Sequence, residues 1–189
     1  MEQTNRTDFH LVDIIIPLNS IIDSIQPYRE KYTNSGSCGL TPHITVVHPF
    51  AKSITDYQSR IESLKKLCSD ISPFSISFSS ISRFKDNGVL FLKPANEEEI
   101  TKIIKKVYNG FPDINPYNGR FTLDQIKPHC TIAISDSGKT LNEVEENLFS
   151  LKPDPISIEE EVSEFWCVVK ASEQYYLYEK IKLGSEGNP

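Results

Sequence analysis

Two of the four histidines stand in one repeated frame, Pro-His-x-Thr: Pro42-His43-Ile44-Thr45 and Pro128-His129-Cys130-Thr131. With Pro at ~5% of positions and Ser plus Thr at ~15%, a given histidine meets that frame about once in a hundred, so coincidence is a poor explanation for two. Each frame opens a β-branched run, and in a strand alternate side chains face opposite ways. His43 and Thr45 therefore share one face and Ile44 and Val46 the other; His129 and Thr131 likewise are expected to face away from Cys130, Ile132 and Ile134. Each strand has a polar front and an apolar back. Imidazole titrates near ~6.5, so one ring can be a neutral base while its mate is a protonated acid. The hydroxyls can donate to non-bridging phosphate oxygens as negative charge builds there. Two imidazoles and two hydroxyls converging on a cleft suit phosphodiester chemistry without a metal. No third ligand stands at a recognisable metal spacing from either histidine, and no cofactor is implied.

The elements that must position these groups can be read from periodicity. A buried Ile-rich strand, Asp13 to Leu18, is followed by helix-like spacing over Ile21 to Tyr32, then by the turn-rich loop TNSGSCGLTP. The first frame opens the strand HITVV, which is expected to stop at Pro49. A helix is expected over Ser53 to Cys68 with Ser53 as its N-cap, then the alternating strand FSISF, a turn at Lys85 to Gly88 and the strand VLFLKP. The order then recurs: a helix over Asn96 to Tyr108, a loop, the strand HCTIAI, a helix over Thr140 to Leu151, the run PISIEEEVSEFWCVVK, and YYLYEKIKL. This is an internal duplication of plan, with repeats of about 9–84 and 88–165, closing strands over 166–183 and a tail at 184–189. Such a plan predicts α+β or mixed α/β lobes related by a pseudo-twofold axis, each built on its own sheet.

The bulk composition agrees with one ordinary domain or two small lobes. The chain has 189 residues, 38% of them hydrophobic, and a net charge of −6, from 20 basic and 26 acidic side chains. That excludes disordered and coiled-coil classes and does not favour sequence-independent attraction to duplex DNA. With no apolar run of membrane-spanning length and no secretory-type start, the expectation is a cytoplasmic monomer away from membranes. Cys38, Cys68, Cys130 and Cys167 stand singly and read as reduced thiols.

The paired His-x-Thr frames, the strand-plus-PF ending from His43 to Phe50 and the closing hydrophobic strands from Trp166 to Leu183 resemble the two-histidine (2H) phosphoesterase superfamily. That superfamily includes the 2′-5′ RNA ligase-like (LigT-like) proteins and cyclic nucleotide phosphodiesterases. The resemblance covers roughly Phe9 to Leu183 in layout and is residue-level only at the motifs. It implies a bilobal α+β fold whose histidines face each other across a central groove. It also implies hydrolysis or transesterification of 2′,3′-cyclic phosphates or 2′-5′ phosphodiesters at nucleotide or RNA ends. Carried over, His43 and His129 become the general acid/base pair and Thr45 and Thr131 the phosphate ligands. The alternatives are a groove that binds nucleotide or RNA without turnover, and a phosphodiesterase that degrades a cyclic or 2′-5′ oligonucleotide signal.

Around this core of four, the loop before the second frame (NPYNGRFTLDQIK) offers Tyr117 as a stacking ring and Arg120 and Lys127 as cationic donors. Arg83 and Lys85 are alternatives. Gly36 and Gly39 can let backbone amides approach an anion before the first frame. His48, an odd five residues past His43, is expected on the opposite face. His10 reads as a surface residue, Cys130 as a core thiol, and the acidic runs at Glu97 to Glu99 and Glu159 to Glu161 as solvated faces or helix starts.

Overall fold

A continuous apolar run such as VDIII predicts a strand buried on both faces, and β1 (Leu11–Pro17) is buried along almost its whole length. The structure, a computed structural model, describes residues 11–84, 88–151 and 159–184. A short 3-10 turn leads from β1 into α1 (Ile22–Tyr32), then the one-turn α2 (Asn34–Ser37), β2 (His43–Ala51) and α3 (Ile54–Ser69). Next come β3 (Phe74–Phe84), β4 (Val89–Pro94), α4 (Glu97–Asn109), β5 (Cys130–Ile134) and α5 (Gly138–Leu151). The chain closes with β6 (Glu159–Val162), β7 (Glu164–Ala171) and β8 (Gln174–Lys182). Ser53 caps α3 as expected, its hydroxyl accepting from the Asp56 amide at 3.1 Å while the Asp56 carboxylate accepts from the Lys52 amide. Lys85, His10, residues 185–189 and the start of the PISIEEEV run lie outside the described residues.

The strands form two antiparallel four-stranded sheets in the orders β2-β1-β7-β8 and β5-β4-β3-β6. The fold is α+β with one sheet per lobe. The two orders correspond in kind: each motif strand is an edge strand, and its neighbour is the strand that opens the repeat. The exchange of strands between sheets differs from the sequence repeat, however. FSISF, which closes the first repeat, pairs as β3 with β4 in the second sheet, and the closing strands β7 and β8 return to β1 in the first. The run expected as one strand over PISIEEEVSEFWCVVK breaks at Ser163, sending β6 to one sheet and β7 to the other.

One apolar core runs from Val12 and Ile14 through Leu64, Ile76, Leu90 and Ile104 to Val144 and Phe165, so both sheets bury their inner faces in the same mass. Two polar ties cross it. Glu160, nine-tenths buried on β6, accepts the Asn19 and Ser20 amides at 3.2 and 2.8 Å, and the Ser20 hydroxyl, at the entry to α1. A carboxylate there satisfies amides with no helical partner and meets the positive end of the helix dipole. The Glu159–Glu161 run is thus a solvated face at its two outer residues only. The second tie is Arg29, described with the site.

Candidate active site

β2 and β5, the two motif strands, are the edge strands that approach each other between the sheets. The same local geometry holds both histidines. His43 Nδ1 lies 2.7 Å from the Thr41 carbonyl and His129 Nδ1 lies 2.7 Å from the Lys127 carbonyl. A carbonyl only accepts, so Nδ1 carries the proton and each neutral ring presents a bare Nε2. The proline of the frame explains the bond: it biases the residue before it toward extended backbone, which aims that residue's carbonyl at the ring two positions on. Thr45 and Thr131 are half-buried beside their histidines, and Ile44 and Cys130 point into the core as the alternation predicts.

The strands also share an irregularity that alternation cannot foresee. β1 pairs Ile15 with Thr45 and Ile14 with Val47, so Val46 is an extra residue; β4 pairs Phe91 with Thr131 and Leu90 with Ala133, so Ile132 is extra. Each is a β-bulge one residue after the motif threonine, at equivalent points of the two repeats. A bulge resets parity. His48 therefore returns to the face of His43 and Thr45, half-exposed, and not to the opposite face expected from its odd spacing. The strand continues past Pro49 to Ala51, which pairs with Val12 after a second register shift.

Tyr117 joins this face. Its phenol reaches Thr45, which acts on its titration, and its ring lies 5.2 Å from that of His48, tilted by 46°. The turn that delivers it has left-handed backbone at Tyr117 (φ 50°), Asn118 (φ 57°) and Gly119 (φ 82°), readily taken by asparagine and glycine but unusual for a tyrosine. Arg120 follows, exposed, and its charge reaches His48. On the other side, Phe84 and Phe91 stack at 4.2 Å and both meet the His129 ring edge-on.

Arg29 lies beneath the groove and is 1% exposed. It occupies the core-facing position of α1 one turn after Ile25, itself one turn after Ile21. Its Nη1 donates to the Thr131 carbonyl at 2.6 Å, and its Nη2 to the Leu40 carbonyl and the Ser35 hydroxyl. No carboxylate pairs with it among the described residues, and its Nε has no partner there. A buried, carbonyl-solvated cation beside both motif strands leaves its positive potential for an anion.

Electrostatics follow from these contacts. Burial and then the Arg29 charge push His43 down to about 3, against the Thr41 carbonyl; burial also lowers His129, against the Lys127 carbonyl. The pairing of one neutral with one protonated motif ring, expected from the ordinary imidazole value, is thus opposed by the groove's own residues. His48 behaves oppositely. Burial opposes its protonation, but the Asp13 carboxylate at 2.8 Å on its Nδ1 outweighs burial and Arg120, and the net shift is upward. Burial raises the Cys130 thiol, as fits a core side chain.

The profile of the 2′-5′ RNA ligase superfamily matches residues 17–174. The chain belongs to that superfamily. Its relatives include a Bacillus licheniformis protein named "Putative phosphoesterase", 24% identical over 91% of this chain and 97% of its own length, and a Staphylococcus aureus protein of the same description, 25% identical over 69% and 73%. Among solved structures, TT0787 of Thermus thermophilus superposes with a TM-score of 0.62 at 16% identity, covering 93% of this chain and 99% of that one. Escherichia coli LigT complexed with 3′-AMP gives 0.55 at 12% identity, covering 94% and 99%. These likenesses establish the fold shared with this two-histidine group.

Within this superfamily member the residues read from sequence sort clearly. His43, Thr45, Tyr117 and, through its charge, Arg120 gather on the β2 side; Thr131 on β5 and His129 immediately before it lie on the adjoining edge, with His129 within electrostatic reach of His43. Lys127 contributes its carbonyl. Arg83 is drawn away into an ion pair with Glu145. The amides of Gly36 and Gly39 are spent on Thr33 Oγ1 and the Gly36 carbonyl, so neither offers an anion cradle. Sequence reading missed Arg29, Asp13 and the groove-facing His48. An arginine on the apolar stripe Ile21-Ile25-Arg29 and an aspartate inside an Ile-rich strand were the available signals, since buried charges need a reason.

Proposed function

We propose that the protein is a metal-independent phosphoesterase acting on 2′,3′-cyclic phosphate or 2′-5′ phosphodiester bonds of nucleotides or RNA ends. The observation that carries this reading is the matched pair of edge strands, each with an Nδ1-anchored imidazole, a threonine two residues on and a bulge immediately after it. Phosphoesterase names among the relatives and nucleotide complexes of LigT support it.

The steps use this chain's own groups. Phosphate settles over Thr45 and Thr131, whose hydroxyls donate to the non-bridging oxygens, with Arg29 supplying positive potential from below. His43, neutral down to about pH 3, takes a proton on Nε2 from water as its oxygen attacks phosphorus. His129, lowered by burial but without the Arg29 charge that acts on His43, holds the proton that passes to the departing ribose oxygen as the P–O bond breaks. With a 2′-5′ linkage the adjacent 3′-hydroxyl takes the place of water and leaves a cyclic phosphate. The bound phosphate supplies the charge that raises His129 enough to be loaded.

Incubating wild type, His43→Ala and His129→Ala with 2′,3′-cyclic mononucleotides and 2′-5′ dinucleotides in EDTA tests this. Product from wild type, reduced about 10² to 10⁴-fold in each variant, is expected. Activity abolished by chelator yet indifferent to His129→Ala would overturn it, and saturable binding without turnover would make the groove a nucleotide-binding site only.

A further inference from the structure

The two arms of the groove are not alike beyond the threonines. Five residues after its motif histidine, β2 presents His48, whereas β5 presents Ile134, which is 49% exposed. Equivalent bulges put both on the groove face, so the difference lies in chemistry and not in parity. His48 is built to be a cation. Its Nδ1 is held by Asp13, a carboxylate only 8% exposed and set behind the ring, which leaves Nε2–H as the outward, charge-assisted donor. The other polar groups around it are the Tyr108 hydroxyl, which accepts from its amide, the Tyr117 ring, the Arg120 guanidinium and, within electrostatic reach on the same face, the His43 ring. Asp13 is the one carboxylate bonded to this group among the described residues, and it is spent on Nδ1.

A second cation is held against the first. The left-handed turn at Tyr117 to Gly119 places exposed Arg120 where its charge opposes protonation of His48. Arg120 makes no ion pair among the described residues. The two like charges, one anchored by a buried carboxylate and the other carried three residues past the Tyr117 ring that packs on His48, act on each other, and an anion bound by both relieves the repulsion. The position of that anion is distinct from that of the reacting phosphate. Thr45 and His48 are one same-face step plus a bulge residue apart, roughly 7–10 Å along the strand. Tyr117 spans the interval, its hydroxyl at Thr45 and its ring at His48.

We propose that His48 and Arg120 form a second phosphate-binding position, one nucleotide unit along β2 from the reacting phosphate. Resting on the phosphoesterase reading of the groove, this assigns as preferred substrate a nucleotide carrying a further phosphate, in an oligonucleotide chain or on its 5′ end. An isolated cyclic phosphate fills one position and leaves the His48–Arg120 repulsion in place.

Equilibrium binding separates this from turnover. Calorimetric titration of the intact protein with adenosine 3′-monophosphate and with adenosine 3′,5′-bisphosphate should show the bisphosphate bound about 10-fold more tightly or better. Inorganic phosphate added to the monophosphate should not reproduce the gain, which identifies the second phosphate as part of the same ligand. In His48→Gln and in Arg120→Gln the preference should fall to about 2-fold. Arg120 is exposed on a loop, so its variant keeps the test valid even where the strand substitution impairs folding. Equal affinities in wild type, or a preference that survives both substitutions, would overturn the second position. Failure of turnover with every substrate would instead overturn the phosphoesterase reading and leave the binding result standing.

Discussion

What holds Nδ1 decides how each groove imidazole titrates. Carbonyls anchor His43 and His129 and supply no countercharge, so burial governs, reinforced at His43 by Arg29; a carboxylate anchors His48 and reverses the sign. In the free protein His48 is therefore the first of the three to gain a proton as pH falls. The pH dependence of turnover follows from these directions. The acid must hold its proton, and the His129 value lies below 6.5, so kcat/KM falls as pH rises through that lowered value. The base must be free, a condition lost only as pH falls toward about 3. The optimum of kcat/KM is expected on the acidic side of 6.5. Because bound phosphate raises the imidazoles, the falling limb of kcat should lie at higher pH than that of kcat/KM. Steady-state kinetics over the acidic and neutral range check this; coincident limbs, or an optimum above neutrality, would count against the assignment of His129 as acid.

At the scale of elements, the helix α1 and the loop after it act as the floor of the site. Gly36 packs so closely on α1 that a Cβ there would collide with the Arg29 carbonyl group, and its amide closes the Thr33 cap. Gly36→Ala should lower stability by about 1–3 kcal/mol through overpacking. Arg29→Met keeps bulk but leaves the Thr131 and Leu40 carbonyls without their donor, at a cost of about 2–4 kcal/mol. It should also raise the His43 titration, followed by NMR, because an opposing cation is gone. A variant that unfolds at the wild-type denaturant midpoint with His43 unmoved would remove Arg29 from the site. Elements themselves were legible: the spacing of Ile54, Tyr57, Ile61 and Leu64 and the cap at Ser53 predict α3 to within a residue. Side-chain direction was legible only up to Thr45. Nothing in Val46-Val47 announces a bulge, so parity carried past it puts His48 on the wrong face.

For the whole molecule, sequence order and spatial order diverge at the strand exchange, because pairing partners are chosen by edge and register over long separations that periodicity does not encode. FSISF has the alternation of a strand next to either sheet; only β4 and β6 beside it settle the matter. This exchange has a consequence for folding units. Cutting after Phe84 yields a first piece whose β1 has lost β7, exposing a long Ile-rich edge, and a second piece that carries the β7–β8 pair without β1, the strand that joins it to its sheet. Each piece also exposes its half of the common core, and Glu160 and Arg29 lose the groups they hold across it. We expect neither 1–84 nor 85–189 to fold alone, the intact chain to unfold in one transition, and the two pieces to regain structure only when mixed. Circular dichroism with urea titration on each piece and on the mixture decides this. Cooperative unfolding of either isolated piece would mean that the two repeats are separate domains and that the groove between them is a domain interface and not the interior seam of one.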